Sequence, residues 1–103
     1  MYKICFYVPT SHAEIVKTAM FAKGAGKIGA YSCCAWQVLG EGQFMPLENN
    51  HAYIGEEGRL EKLPEYKIEM ICKKEHIQAV IQALKQVHPY EEPAYQVWAI
   101  ETC

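Results

Sequence analysis

The stretch YKIEMICKKEHIQAVIQALKQVHPYEEPAYQVWAI, residues 66–100, decides the fold. Its apolar period changes twice. Tyr66, Ile68, Met70 and Cys72 alternate with Lys67, Glu69 and Ile71, the period-two pattern of a strand. From Lys74 to Val87 the spacing becomes helical. Ile77, Val80, Ile81, Leu84 and Val87 form one stripe, and Lys74, Glu75, Gln78, Gln82 and Lys85 fall outside it. His88-Pro89 ends the helix, because the residue before a proline disfavours the helical region. Ala94 to Ile100 returns to period two, with Tyr95, Val97 and Ala99 on one face and Trp98 and Ile100 on the other.

Toward the N-terminus the same order recurs. Tyr2, Ile4, Phe6 and Val8 oppose Lys3, Cys5 and Tyr7, a strand stopped by Pro9. Ser11-His12-Ala13-Glu14 has the form of a capping box. Ile15, Val16, Ala19 and Met20 then supply the apolar face of a helix, with Lys23 at its end and Gly24 as its stop. Residues 24–32 are glycine-rich. Cys33 to Leu39 reads as another strand, bent or bulged at Gly40 and Gly42. Residues 43–58, with Pro46, Asn49, Asn50, Gly55 and Gly58, form a long irregular insertion. The order β-α-β-β-α-β predicts an α+β, ferredoxin-like fold, an antiparallel sheet with both helices on one face. The other face is then open, and Cys5, Tyr7, Trp98 and Ile100 would make it large and apolar. Monomers rarely leave such a surface in water, so a homo-oligomer is expected.

Composition narrows the function. The 103 residues predict one domain spanning 1–103, and 50% apolar with 21% charged residues is ordinary globular composition. Ten Lys+Arg against twelve acidic residues show no basic patch, so no nucleic-acid partner is expected. All twelve acids are Glu. The lack of Asp removes EF-hand loops, Walker-B carboxylates, aspartic dyads and Ser-His-Asp triads together. No run approaches the ~18 apolar residues of a membrane helix, and the N-terminus lacks a signal-peptide apolar region. Five cysteines without paired spacing read as reduced thiols in a cytoplasmic chain, with Cys103 open to oxidation at the terminus.

Several motifs bear on chemistry. Gly24-Ala25-Gly26-Lys27-Ile28-Gly29 fits G-x-G-x-x-G, but it follows a helix and precedes a strand, the reverse of a dinucleotide fingerprint. It reads as a connection; the alternative is an anion-binding nest of backbone amides at Gly26, with Lys27 as a point charge. Cys33 and Cys34 would point to opposite faces of a strand, which does not suit a shared metal. His12, His51 and His76 read as surface residues. His88-Pro89-Tyr90-Glu91-Glu92-Pro93 is denser, presenting an imidazole, a phenol and two carboxylates on a proline-bracketed turn. Ligand-binding candidates are thus His88, Tyr90, Glu91 and Glu92, with Lys27 and Gly26 secondary. His88 and Glu91 are the candidate pair for a divalent metal ion. The alternative is a structural corner whose carboxylates bond to backbone or to a neighbouring subunit.

Taken together, the strings Gly24-Ala25-Gly26-x-Ile28-Gly29-x-Tyr31, Cys34, Trp36, Gly40-x-Gly42-x-Phe44-x-Pro46, Gly55-x-x-Gly58-x-Leu60-Glu61 and His88 to Tyr95 resemble the YqfO-type domain of the NGG-interacting-factor-three-like family. In longer members that domain is inserted between two halves of a metal-binding hydrolase-like fold. The His-Pro-Tyr-Glu corner also resembles that of the CutA proteins, which like the PII signalling proteins are ferredoxin-like trimers. The resemblance implies a CutA/PII-like module and a trimer. The dinuclear metal site of longer members uses His, Asp and Glu of the flanking halves, so neither that site nor the GTP-cyclohydrolase-like name carries over. The CutA link to divalent-cation tolerance could be inherited only by the His88–Glu91 corner.

The expected function is a non-enzymatic module that binds a small ligand or metal and regulates, as a cytoplasmic homo-oligomer. No nucleophile–base–orienter set can be drawn, so no catalytic residue is named. The alternative is a metal-dependent hydrolase of a nucleotide or phosphoester, alone or with a partner subunit, with His88 or Glu91 as base. Docking onto a larger protein partner is a third possibility.

Overall fold

The structure, a computed structural model, describes residues 1–48 and 50–102; Asn49 and the terminal thiol Cys103 lie outside the described residues. Six principal elements follow one another: β1 (Tyr2–Pro9), α1 (Ala13–Ala22), β2 (Trp36–Phe44), β3 (Glu61–Cys72), α2 (Ile77–Val87) and β4 (Tyr95–Ala99). The strands form one sheet in the order β2-β3-β1-β4, with every neighbouring pair antiparallel. This is the ferredoxin-like α+β arrangement.

The core lies between the sheet and the two helices. Ile4, Phe6 and Val8 of β1 point into it beside Ile68, Met70 and Cys72 of β3. Register explains the match, since Ile4 stands opposite Met70 and Phe6 opposite Ile68. Val16 and Met20 of α1 and Ile77, Val80 and Leu84 of α2 close the core from above. Fully burying each such side chain stabilises the fold by about 1.5–3 kcal/mol. Tyr95 and Val97 of β4 pack at the margin, as the alternation of that strand predicts.

Four local expectations need correction. The capping box does not form: Thr10–His12 is a 3-10 turn, the N-cap position is His12, and no side chain caps α1. The Ser11 hydroxyl meets Nδ1 of His12 at 2.8 Å instead. That turn rotates the helix, so Ala13, Val16 and Met20 face the core and Ile15 is 59% exposed. The strand begins at Trp36 rather than Cys33, because Cys33 adopts a left-handed φ of 59° that no strand accommodates. Gly40 and Gly42 make no bulge: β2 pairs with β3 over nine unbroken rows.

The β2–β3 hairpin outruns the sheet. β1 meets β3 only as far as Glu65, so Glu61–Pro64 pair with β2 alone. The molecule is accordingly long, 46 × 24 × 23 Å, with a radius of gyration of 14.5 Å, against about 13 Å for a compact chain of this length. On the open face Cys5 is buried, although alternation alone would expose it. The apolar surface there belongs to Trp36, Val38 and Trp98, and Lys3 pairs with Glu69 at 3.1 Å among them.

Candidate ligand-binding cleft

Helix α2 ends at His88, whose backbone is extended (φ −62°, ψ 136°) because Pro89 follows. The chain turns there, and the imidazole folds back under the turn until it is only 5% exposed. Its Nε2 lies 2.6 Å from the Tyr7 carbonyl oxygen, and the Tyr90 amide lies 3.1 Å from its Nδ1. A carbonyl only accepts and an amide only donates, so the ring is held as the neutral Nε2–H tautomer. Burial lowers the His88 pKa below that of an ordinary imidazole, opposed by the bond to Tyr7 and the charge of Glu65. His88 thus pins the corner to β1.

Tyr90 is the next link. Its ring stands 4.9 Å from that of His88 and 5.7 Å from Phe44 at the end of β2. Its hydroxyl donates to Oε2 of Glu65 at 2.7 Å. Burial, and then that bond, push the phenol well above its ordinary pKa, so it stays a donor. Glu65 can lie across the hairpin because position 42 is glycine; a Cβ there would fall on the Glu65 carboxylate.

The segment after β2 folds back over this corner. Asn50 orders it, donating to the Leu47 carbonyl at 2.6 Å and accepting from the Ala52 amide at 3.0 Å. The His51 amide donates to Oε1 of Glu91 at 3.0 Å, tying the segment to the corner. Tyr53 meets His12 edge-on at 5.7 Å. Between segment and corner opens a cleft of about 470 Å³, within the range of small-molecule sites. Tyr7, Phe44, Tyr53 and Tyr90 supply its aromatic walls, and Glu48, Glu65, Glu91 and Glu92 its charge.

The sequence-derived candidates therefore divide. Tyr90, Glu91 and Glu92 line the cleft, and His88 lies beneath it, holding Tyr90. A metal ion does not fit His88 and Glu91. Both ring nitrogens are engaged, Glu91 Oε1 already accepts from a backbone amide, and among the described residues no three His, Cys or Glu side chains converge to hold an ion. Gly26 and Lys27 are elsewhere. The amides of Gly24, Ala25 and Gly26 donate to the carbonyls of Phe21, Met20 and Ile71, so these three are not free to hold an anion. Lys27 instead lines a second cleft of about 340 Å³ with Lys73, His76 and Cys33. Glu65 and Tyr53 were not singled out from sequence. The available signal for Glu65 was the glycine pair on β2, since Gly40 stands opposite it.

No family model matches the chain. It is similar to proteins named "GTP cyclohydrolase 1 type 2 homolog", among them those of Mycobacterium leprae and Bacillus subtilis. The Mycobacterium leprae protein is 41% identical over 98 residues, 95% of this chain and 26% of that protein. The Bacillus subtilis protein is 42% identical over 99 residues, 96% of this chain and 26% of that protein. Among solved structures, a Bacillus cereus protein related to NIF3 superposes with a TM-score of 0.83 at 39% identity, over 98% of this chain and 26% of that one. The periplasmic divalent cation tolerance protein CutA from Archaeoglobus fulgidus superposes with a TM-score of 0.68 at 20% identity, over 100% of this chain and 87% of that one, which shows a shared fold. The chain spans about a quarter of the length of the curated relatives it matches.

Proposed function

We propose that this chain, homologous at about 40% identity to a quarter-length segment of the NIF3-related proteins, is a non-enzymatic binding and regulatory module that works in the cytoplasm as a homo-oligomer. The observation that carries the binding role is the cleft itself: a small-molecule-sized space walled by aromatic rings and tied shut at one side by the His51–Glu91 bond. Tyr90, Glu91 and Glu92 contact the ligand, and His88 acts through Tyr90.

Self-association rests on a second observation. Trp36, Val38 and Trp98 are between 43% and 59% exposed on the open sheet face, and β2 is an unpaired edge beside them. Covering such a face with another copy removes apolar surface from water at roughly 25 cal/mol per Å². We take a trimer as the working state.

Chemistry supports binding over hydrolysis. A phosphoester hydrolase needs cationic groups or a metal around the transferring group. This cleft presents carboxylates, no Lys or Arg lines it among the described residues, and His88 beneath it has no free nitrogen. The test is a native mass spectrum of the chain as purified, with neither metal nor chelator added. Multimers that carry extra mass are expected, and Trp36→Glu with Trp98→Glu should reduce them to monomers. A bare wild-type monomer overturns both the oligomer and the ligand-carrying module.

A further inference from the structure

We infer that the occupant of this cleft is a small organic cation, a compact ammonium or guanidinium compound. The inference rests on the binding role proposed above and names its ligand class. Charge is the first argument. Glu48, Glu65, Glu91 and Glu92 line the cleft, and among the described residues no Lys, Arg or His lines it. Glu48 and Glu92 have no side-chain hydrogen bond or ion pair among the described residues, and the ion pairs found there are Lys3–Glu69, Lys17–Glu14 and Arg59–Glu61. No cationic side chain among the lining residues offsets this negative potential, which repels phosphates and carboxylates.

The walls are the second argument, independent of charge. Four aromatic residues, Tyr7, Phe44, Tyr53 and Tyr90, line one space. A ring face attracts a cation, more strongly when water is displaced, and quaternary ammonium groups are recognised this way. A bare divalent ion gains little from rings and wants several converging oxygen donors, which the described residues do not offer. Rings beside carboxylates match a charged head on an apolar body. The size agrees, since about 470 Å³ holds a small molecule and exceeds what an ion needs.

The experiment compares probes of one shape and different charge. Choline and its neutral isostere 3,3-dimethylbutan-1-ol, agmatine, inorganic phosphate and calcium chloride alone are titrated into the purified chain by calorimetry. Choline or agmatine is expected to bind about tenfold tighter than the neutral isostere, to weaken with added salt, and to lose several-fold in affinity with Glu48→Gln, Glu92→Gln or Tyr53→Leu. Glu48, Glu92 and Tyr53 are exposed, so these variants fold. Equal binding of choline and its isostere overturns the charge argument and leaves the cleft a ligand site. Binding of phosphate, or of calcium alone in place of the organic probes, overturns the ligand class. No binding by either organic cation also overturns it, while extra mass in the native spectrum would still uphold the module.

Discussion

Acid should destabilise this protein through His88, and the structure fixes the sign of the effect. The folded pKa lies below the ordinary imidazole value of about 6.5, so between the two values the unfolded chain binds the extra proton. Stability from this residue is fully present above about pH 6.5 and falls as pH drops, flattening below the folded pKa. One proton limits the slope to about 1.4 kcal/mol per pH unit. Protonation would also turn Nδ1 into a donor facing the Tyr90 amide, which is itself a donor. The check is urea unfolding at pH 8, 7, 6 and 5, comparing wild type with His88→Gln and His88→Asn. Gln can keep the bond to the Tyr7 carbonyl, Asn can keep the acceptor for Tyr90, and neither titrates. Both should cost less than His88→Ala, which strands two polar groups at about 1–3 kcal/mol each, and both should lack the wild-type acid slope below pH 6.5. If the non-titrating variants retain that slope, or if wild type gains stability on acidification, His88 is not the buried neutral pin described here.

Leu84→Ala should cost about 2–5 kcal/mol in urea unfolding, while Ile15→Ala should stay within about 0.5 kcal/mol of wild type, because Leu84 is fully buried and Ile15 lies outside the core. Gly42→Ala should push the Glu65 carboxylate off the hairpin and free the Tyr90 hydroxyl. The Tyr90 phenol should then titrate lower than in wild type, read from tyrosinate difference spectra against chains carrying Tyr90→Phe. Brief alkylation of the native protein should modify the exposed Cys33 well before Cys5 and Cys72, which are buried; peptide mapping that finds Cys72 labelled first would contradict the packing, since burial also raises its thiol pKa.

The sequence carried β1, β4, the inner half of β3 and the second helix because their apolar periods are regular. The outer half of the β2–β3 hairpin, residues 43–44 with 61–65, is strand where an irregular insertion and its flank were expected. Ile77, Val80 and Leu84 enter the core as their spacing predicts, and β1 buries Ile4, Phe6 and Val8. Helix α1 was harder. Its face depends on where the first turn sits, and the 3-10 turn at Thr10–His12 shifts it by a residue. A capping-box pattern is a local preference that a tertiary contact can override, and the edge-on contact of His12 with Tyr53 is such a contact. The apolar run that follows Cys33 places it in a strand, yet nothing in composition reports a left-handed φ at a non-glycine residue.

The site shows why motifs far apart in the chain belong to one device. Read separately, the glycine pair on β2 suggests a bend and the His-Pro-Tyr corner suggests a ligand set. In the fold, Gly42 vacates the space that Glu65 occupies, Glu65 holds the Tyr90 hydroxyl, and His88 holds the Tyr90 backbone. Tyr90 is thereby fixed at both ends before any ligand arrives, with Phe44 against its ring. Such preorganisation lowers the ordering cost of binding. It also assigns each residue a different failure. Loss of His88 should weaken the fold and the cleft together. Loss of Glu65 should loosen the Tyr90 ring while β1 and the end of α2 stay joined, because the His88–Tyr7 bond does not pass through it. Affinity and stability should therefore fall together in His88→Ala and separate in Glu65→Ala, a distinction that paired titrations and urea melts of the two variants resolve.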